Sequence, residues 1–210
     1  MLRCQDLTLR VPGRTLVRGF NLLIERGERW AVLGRNGSGK STLIHALSGI
    51  APPAGGEIAL DGVPLARMRR RGLAQKLGVL LQIEDSVFWG SVLEYVMLGR
   101  HPHSRSLLGF SAQDEAIAAR TLAEMDLGQL RDRPLSTLSG GERQRARFAQ
   151  VLAQEPDCFL LDEPFQHLDL RHQFEMLALI GRLADQGKAV IMVLHDLIWV
   201  SHFDRALLLF

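Results

Sequence analysis

Residues 34–42 read Gly34-Arg35-Asn36-Gly37-Ser38-Gly39-Lys40-Ser41-Thr42. The pattern is G-x-x-x-x-G-K-[ST], and its surroundings suit it. Before it, Trp30-Ala31-Val32-Leu33 is continuously apolar, as expected for a strand buried on both faces. After it, Leu43, Ile44 and Leu47 recur at helical spacing, with Gly49 placed to stop the helix and Pro52-Pro53 beyond. Glycines let successive backbone N–H groups turn inward on a polyanion, because no Cβ obstructs them. A helix starting near Lys40 adds free amides and the positive end of its dipole. Lys40 can reach terminal phosphates as a point charge, and the Ser41 hydroxyl can ligand Mg2+ beside phosphate oxygens. Strand, loop and helix in this order predict a phosphate-binding loop.

On the N-terminal side of this loop the pattern is antiparallel β. Leu7, Leu9 and Val11 alternate with polar residues, Pro12-Gly13 supplies a turn, and Phe20, Leu22 and Ile24 alternate again. On its C-terminal side, Ile58 and Leu60 lead into Asp61-Gly62, a hairpin signal, and Val79-Leu80-Leu81 forms a short apolar strand ending at Gln82. From about residue 87 to 155 only helices are predicted. Ser91 with Glu94, Ser111 with Asp114 and Ser139 with Glu142 each have the capping-box spacing. Strand patterns return at Cys158 to Leu161, Ala189 to Leu194 and Ala206 to Leu209. Between the first two, Phe174, Leu177, Ile180, Leu183 and Ala184 mark an amphipathic helix that Gly187 can end. A parallel α/β core interrupted by an all-helical insert, with β hairpins in front, is the predicted architecture.

Composition sets the outer bounds. The chain has 210 residues, 47% hydrophobic and 23% charged, which suits one large globular domain rather than disorder. Two distant cysteines, Cys4 and Cys158, exclude a disulfide framework and fit a reducing compartment. No apolar run approaches the roughly 18–20 residues that cross a bilayer, and the charged N-terminus lacks a signal-peptide core. A net charge of +2 is too weak to argue for a nucleic-acid partner. The run Arg67, Arg69, Arg70 and Arg71 reads as a solvated helix face, with a partner or lipid-headgroup contact as the alternative.

Two further stretches carry chemistry. Cys158-Phe159-Leu160-Leu161-Asp162-Glu163-Pro164 is an apolar strand ending in two carboxylates. Asp162 is placed to hold Mg2+, directly or through water, and Glu163 to orient or deprotonate a water beside a γ-phosphate. Leu138-Ser139-Gly140-Gly141-Glu142-Arg143-Gln144 opens a helix that must stop before Pro156. Two glycines at a helix start cost up to about 1 kcal/mol each against alanine. Something must therefore approach that backbone closely, and a phosphate is the natural candidate.

Taken together, these motifs resemble the nucleotide-binding subunit of ABC transporters. The resemblance rests on GRNGSGKST, Gln82 after a strand, LSGGERQR, FLLDEP, His167-Leu168-Asp169 and Val193-Leu194-His195-Asp196, in that order and across essentially the whole chain. It implies an α/β P-loop NTPase (RecA-like) core with an N-terminal antiparallel β subdomain and an inserted all-helical subdomain. The expected division is a single nucleotide-binding domain over 1–210, with 1–86 and 156–210 as catalytic core and 87–155 as helical signature subdomain. It also implies ATP and Mg2+ as ligands. Gln82 resembles the Q-loop glutamine that touches Mg2+ or the attacking water and senses the membrane partner. Ser139, Gly140 and Gly141 resemble the signature that binds the γ-phosphate of ATP held by the other subunit. Asp169 resembles the D-loop aspartate at the dimer interface. His195 resembles the switch histidine on the γ-phosphate, whereas a lone histidine at a strand end would otherwise read as structural. The implied protein is an ATPase peripheral to the cytoplasmic face of the cell membrane. It forms a homodimer across composite ATP sites, with integral permease subunits, a substrate-binding protein in the full system, and no nucleic acid.

Three departures from the family pattern stand out. Val11 occupies the position where an aromatic usually stacks on adenine. Phe165-Gln166 replace the small polar pair common after the paired carboxylates, which is expected to alter D-loop packing. The chain ends at Phe210 inside a strand pattern, where family members usually continue, so either a short form or a missing C-terminal part is expected. Leu98-Gly99-Arg100-His101-Pro102-His103 resembles a segment of ATPases that energise iron-siderophore, haem or vitamin B12 importers. On their own terms His101 and His103 read as a cationic helix end; as metal ligands they lack an evident third partner. The alternatives to a transport ATPase are a non-transport ABC ATPase acting on DNA or ribosomes, an exporter ATPase, and a regulator that no longer hydrolyses ATP. Absent coiled-coil insertions and the presence of Glu163 and His195 argue against the first and last.

Overall fold

A computed structural model describes residues 1–82, 88–104 and 109–210. The front is a four-stranded antiparallel sheet in the order β2-β1-β4-β5, built from β1 (Leu2–Val11), β2 (Arg14–Ile24), β4 (Gly55–Leu60) and β5 (Val63–Pro64). Behind it lies a five-stranded sheet. It consists of β3 (Arg29–Gly34), β6 (Leu77–Leu80), β7 (Cys158–Asp162), β8 (Ala189–Val193) and β9 (Arg205–Leu209), in the order β6-β7-β8-β3-β9. Every pairing in this second sheet is parallel. The strand limits predicted from sequence move by one or two residues. The apolar run at 79–81 belongs to a strand that begins at Leu77 and ends at Leu80, and β7 extends to Asp162.

The parallel sheet divides two cores, and alternation along each strand assigns the side chains. Phe159 and Leu161 of β7, Val190 and Met192 of β8 and Ala31 and Leu33 of β3 face one core. Cys158, Leu160, Ala189, Ile191, Val193 and Val32 face the other. The second core is shared with α1 (Lys40–Leu47) and the antiparallel sheet through Leu43, Ile44, Leu47, Leu2, Leu7 and Ile58. This is why the strands read as unbroken apolar runs: each residue is buried whichever way it points. Cys4 and Cys158 both lie in this core as free thiols, and burial pushes each thiol up to about 12.

The first core continues into the helices. Among the described residues between 88 and 155 the regular structure is helical: α3 (Val92–Met97), α4 (Ala112–Glu124) and α5 (Gly140–Ala153), with short 3-10 turns. All three predicted capping boxes form, at Ser91 with Glu94, Ser111 with Asp114 and Ser139 with Glu142. The predicted boundary at 86/87 lies outside the described residues. The last helix, α6 (Leu170–Asp185), buries Leu177, Ile180 and Ala184 as its periodicity predicts. It ends in a Schellman arrangement, with Gly187 N–H on Ala184 O and Lys188 N–H on Leu183 O. Phe174, expected on the buried face, is half exposed and instead meets Trp199 edge-on at 5.1 Å.

Residues 98–104 tie the helices to the core, and this corrects two sequence expectations. Arg100 is buried and donates to Asp114 Oδ1 (3.0 Å), Glu155 Oε2 (2.9 Å) and the Ala153 carbonyl (2.7 Å), joining the start of α4 to the end of α5. Gly99 lies so close to the Gln150 carbonyl that a Cβ has no room. His103 Nε2 donates to Gln154 O at 2.9 Å, so this histidine fastens the end of α5 rather than lying free at a helix end. The arginine run is not simply a solvated face either. Arg70 opens α2 (Arg70–Lys76) and donates to Gly49 O at 3.2 Å, while Arg71 donates to the carbonyls of Pro102 (2.9 Å) and Ser104. Gln75 also reaches Pro102 O, at 2.8 Å.

Removing Arg100 leaves Asp114 buried without its cation. The expected cost for Arg100→Met is about 3 kcal/mol, typical of breaking one half of a buried pair. Urea unfolding should give a lower midpoint at an unchanged slope. A midpoint within error of the parent protein contradicts the clamp.

Candidate functional site

Parallel alignment brings four strand ends to one rim. Gly34 closes β3, Gln82 lies two residues beyond β6, Asp162 and Glu163 sit at and just past the end of β7, and His195 lies two residues past β8. The register is tight: Asp162 pairs with Val193, and Val32 pairs with the same residue from the other side. A cavity of about 700 Å3 opens there. Its walls include Asn36, Gly37, Gly39, Lys40, Ser41 and Thr42 of the loop, together with Gln82, Glu163 and His195. The volume lies within the range of small-molecule sites.

The loop is shaped for an anion. Gly39 caps α1 in a left-handed conformation (φ 104°) that a Cβ would strain, and no side chain caps the first amides of the helix. By contrast α3, α4 and α5 each begin with an occupied capping box. Lys40 is buried at the loop, its Nζ donating to the carbonyls of Gly34 (2.8 Å) and Arg35 (3.2 Å). Arg35 contributes backbone, accepting from Ser38 N–H at 3.1 Å, and its side chain is not part of the cavity wall.

Two buried oxygens beside the loop lack hydrogen-bond partners, Asp162 Oδ1 and Ser38 Oγ. Burial pushes the Asp162 carboxyl above its usual range, the hydrogen bond from Ser41 pulls it down, and the Glu163 charge raises it further. A buried carboxylate oxygen without a donor is costly unless a cation or proton meets it. The neighbouring donors are a hydroxyl, a carboxylate and the Gln82 amide, an all-oxygen set that suits Mg2+.

Glu163 is held by the chain around it. Its backbone is left-handed (φ 50°), uncommon for a glutamate and the kind of local strain that recurs at active sites. Its Oε2 accepts from Gln82 Nε2 at 3.1 Å and from Gln166 Nε2 at 2.7 Å.

The serine-glycine segment lies apart from this cavity. None of Ser139, Gly140, Gly141 or Asp169 lines it. Ser139 Oγ donates to Glu142 Oε2 at 2.7 Å and accepts from Glu142 N–H at 3.3 Å. Within this chain His167 approaches the glycines closely. A Cβ on Gly141 would sit 2.9 Å from the His167 carbonyl oxygen, and one on Gly140 would touch the His167 side chain. Asp169 caps α6, accepting from the His172 amide (2.9 Å) and Nδ1 (2.7 Å), and these bonds hold its carboxyl below the usual range.

Two wall residues were not assigned to the site from sequence. Leu16 of β2 stands beside Val11, so the apolar end of the cavity is aliphatic; among the described residues no aromatic lines it. Gln166 is the other. Its N–H returns to the Glu163 carbonyl at 3.3 Å, closing a four-residue turn, and its spacing of three from Glu163 is the signal that could have placed it.

Comparison with known proteins agrees with this geometry. The ABC transporter family model matches residues 17–166. The hemin import ATP-binding protein HmuV of Myxococcus xanthus is 46% identical over 195 residues, covering 90% of this chain and 72% of that one. The achromobactin transport ATP-binding protein CbrD of Dickeya dadantii is 38% identical over 194 residues, covering 92% and 72%. Among solved structures, an ABC transporter assigned to the metal-chelate type, in an inward-facing conformation, superposes with a TM-score of 0.84 at 32% identity, covering 99% of this chain and 78% of that one. The dimeric bacterial cassette MJ0796 gives 0.89 at 25% identity, covering 100% and 94%. With a matched phosphate loop, paired carboxylates and strand-end glutamine and histidine on one rim, this chain belongs to the ABC transporter family as an ATP-binding cassette.

Proposed function

We propose that this chain is the ATP-hydrolysing subunit of an ABC importer, and that its cargo is an iron chelate, haem or cobalamin. The observation that carries the catalytic part is the convergence of Lys40, Ser41, Gln82, Glu163 and His195 on one cavity that excludes Ser139. The cargo class is supported by the relatives, whose names describe hemin, achromobactin and hydroxamate transport. The chain would act on the cytoplasmic face of the membrane, bound to permease subunits and served by a substrate-binding protein. Among the described residues no helix is long and apolar enough to cross a membrane, so the membrane passage would belong to those partners.

The site residues divide the work. The amides of residues 34–42 and the Lys40 ammonium cradle the phosphates of ATP. Ser41, Asp162 and Gln82 would hold Mg2+, which neutralises charge on the phosphates. The Glu163 carboxylate takes a proton from a water whose oxygen attacks the γ-phosphorus. The bond from that phosphorus to the bridging oxygen breaks, and ADP and phosphate leave. His195 contacts the γ-phosphate from the end of β8. Val11 and Leu16 provide an aliphatic floor for adenine, without the stacking of an aromatic ring.

The serine-glycine tip would complete the site of a second copy. Ser139 caps a 14-residue helix that opens with Gly140 and Gly141, so the positive end of its dipole lies at this tip. A γ-phosphate held by Lys40 of one copy and Ser139 of the other makes ATP the glue between two half-sites, and hydrolysis dissolves it. Asp169, exposed at the start of α6, would face the partner there. In this reading 1–86 and 156–210 form the catalytic core of one nucleotide-binding domain, and 87–155 the subdomain that carries the tip.

Glu163→Gln should leave ATP binding intact and slow turnover about 10²–10⁴-fold, the usual contribution of a general base. Steady-state phosphate release measures this, and near-parental turnover refutes the role. Ser139→Arg should abolish ATP-driven dimerisation in light scattering while nucleotide affinity of the monomer is unchanged. Undiminished dimerisation contradicts the composite site.

A further inference from the structure

We propose that Gln166 is a positioning residue for the reaction, holding the Glu163 carboxylate in place through a bond that does not involve the metal site. The inference rests on the reading of Glu163 as the base and Gln82 as an Mg2+ contact. It starts from the departure at Phe165-Gln166, which the family pattern leaves without a role.

Both amide side chains donate to one oxygen of Glu163, Oε2, from opposite parts of the chain. Gln82 comes from the end of β6 at 3.1 Å, and Gln166 from the turn after β7 at 2.7 Å. The second carboxylate oxygen is left for a water. Gln82 would meet Mg2+ through its carbonyl Oε1, so the place of its Nε2, and with it the bond to Oε2, would depend on how the metal turns the amide. The Gln166 bond does not depend on the metal. That bond is the shorter of the two, and hydrogen bonds to a charged acceptor are among the stronger ones.

The geometry suits Gln166 to this task. Gln166 lies three residues after Glu163 in a closed turn, so its reach is set by local backbone rather than by a distant loop. Its neighbour Phe165 packs edge-on against Trp199 at 5.6 Å, which anchors the turn in the helical core. The turn therefore restrains a glutamate whose own backbone is left-handed. A small residue at 166 would lack the reach to give Oε2 a donor.

The test uses Gln166→Met, which keeps the length and bulk of the side chain and removes the donor, alone and combined with Glu163→Gln. Steady-state ATPase activity of the full chain should fall about 10- to 100-fold in kcat, as misplacement of a reacting group predicts, with KM for ATP within about twofold. In the Glu163→Gln background the same substitution should change the residual rate less than about twofold, because the two act as one unit. Gln166→Asn, which keeps a shortened donor, should recover part of kcat. Parental kcat in Gln166→Met overturns the proposal while leaving Glu163 as base. A loss that multiplies fully with Glu163→Gln, or that appears in KM alone, also overturns it. If Glu163→Gln itself retains parental turnover, the base assignment falls first. A kcat loss in Gln166→Met would then act through another group, and the proposal falls with it.

Discussion

Everything at this site depends on strands that run the same way. A parallel sheet sends the carboxyl ends of β3, β6, β7 and β8 to a single rim, so residues distant in sequence meet without any loop having to reach far. Gly34, Gln82, Asp162, Glu163 and His195 are neighbours for this reason alone. The sheet can run parallel because both its faces are covered, one by α1 and the antiparallel sheet, the other by α5 and α6. Burial on two sides is also what leaves Asp162 Oδ1 with no solvent and no donor. The same packing that builds the sheet thus creates a buried carboxylate oxygen that a cation or a proton would satisfy.

The phosphate loop and the serine-glycine tip lie in different places on one chain, and α5 connects the tip to the core. One end of α5 carries Ser139. Its other end is fastened by Arg100, by His103 and by Gln154, which donates to Leu77 O at 2.8 Å and to Ala74 O. Midway, Gln144 donates to Pro164 O at 2.9 Å and Arg147 to Leu81 O at 2.5 Å, next to Glu163 and Gln82. These bonds link α5 to the strand ends that carry Gln82 and Glu163.

Much of this was legible from residue patterns, and the exceptions are instructive. The loop at 34–42, the carboxylate pair and all three capping boxes are local devices, complete within nine residues, and they appear where the pattern puts them. What depends on tertiary neighbours was not legible. Two glycines at 140 and 141 signalled a close approach, but not that His167 makes it. The segment at 98–103 was legible as a resemblance to importer ATPases, but not that Gly99 packs on α5 and Arg100 enters a buried ion pair. Phe174 had the spacing of a buried residue, and only the position of Trp199 decides otherwise. Leu16 beside Val11 needed the hairpin register to be seen.

The most direct measurement is a crystal structure of Glu163→Gln with Mg2+ and ATP. The account predicts two copies related by a twofold axis, with each γ-phosphate touched by Lys40 Nζ of one and Ser139 Oγ of the other. A nucleotide bound away from residues 34–42, or two copies meeting through another surface with Ser139 remote from phosphate, contradicts it.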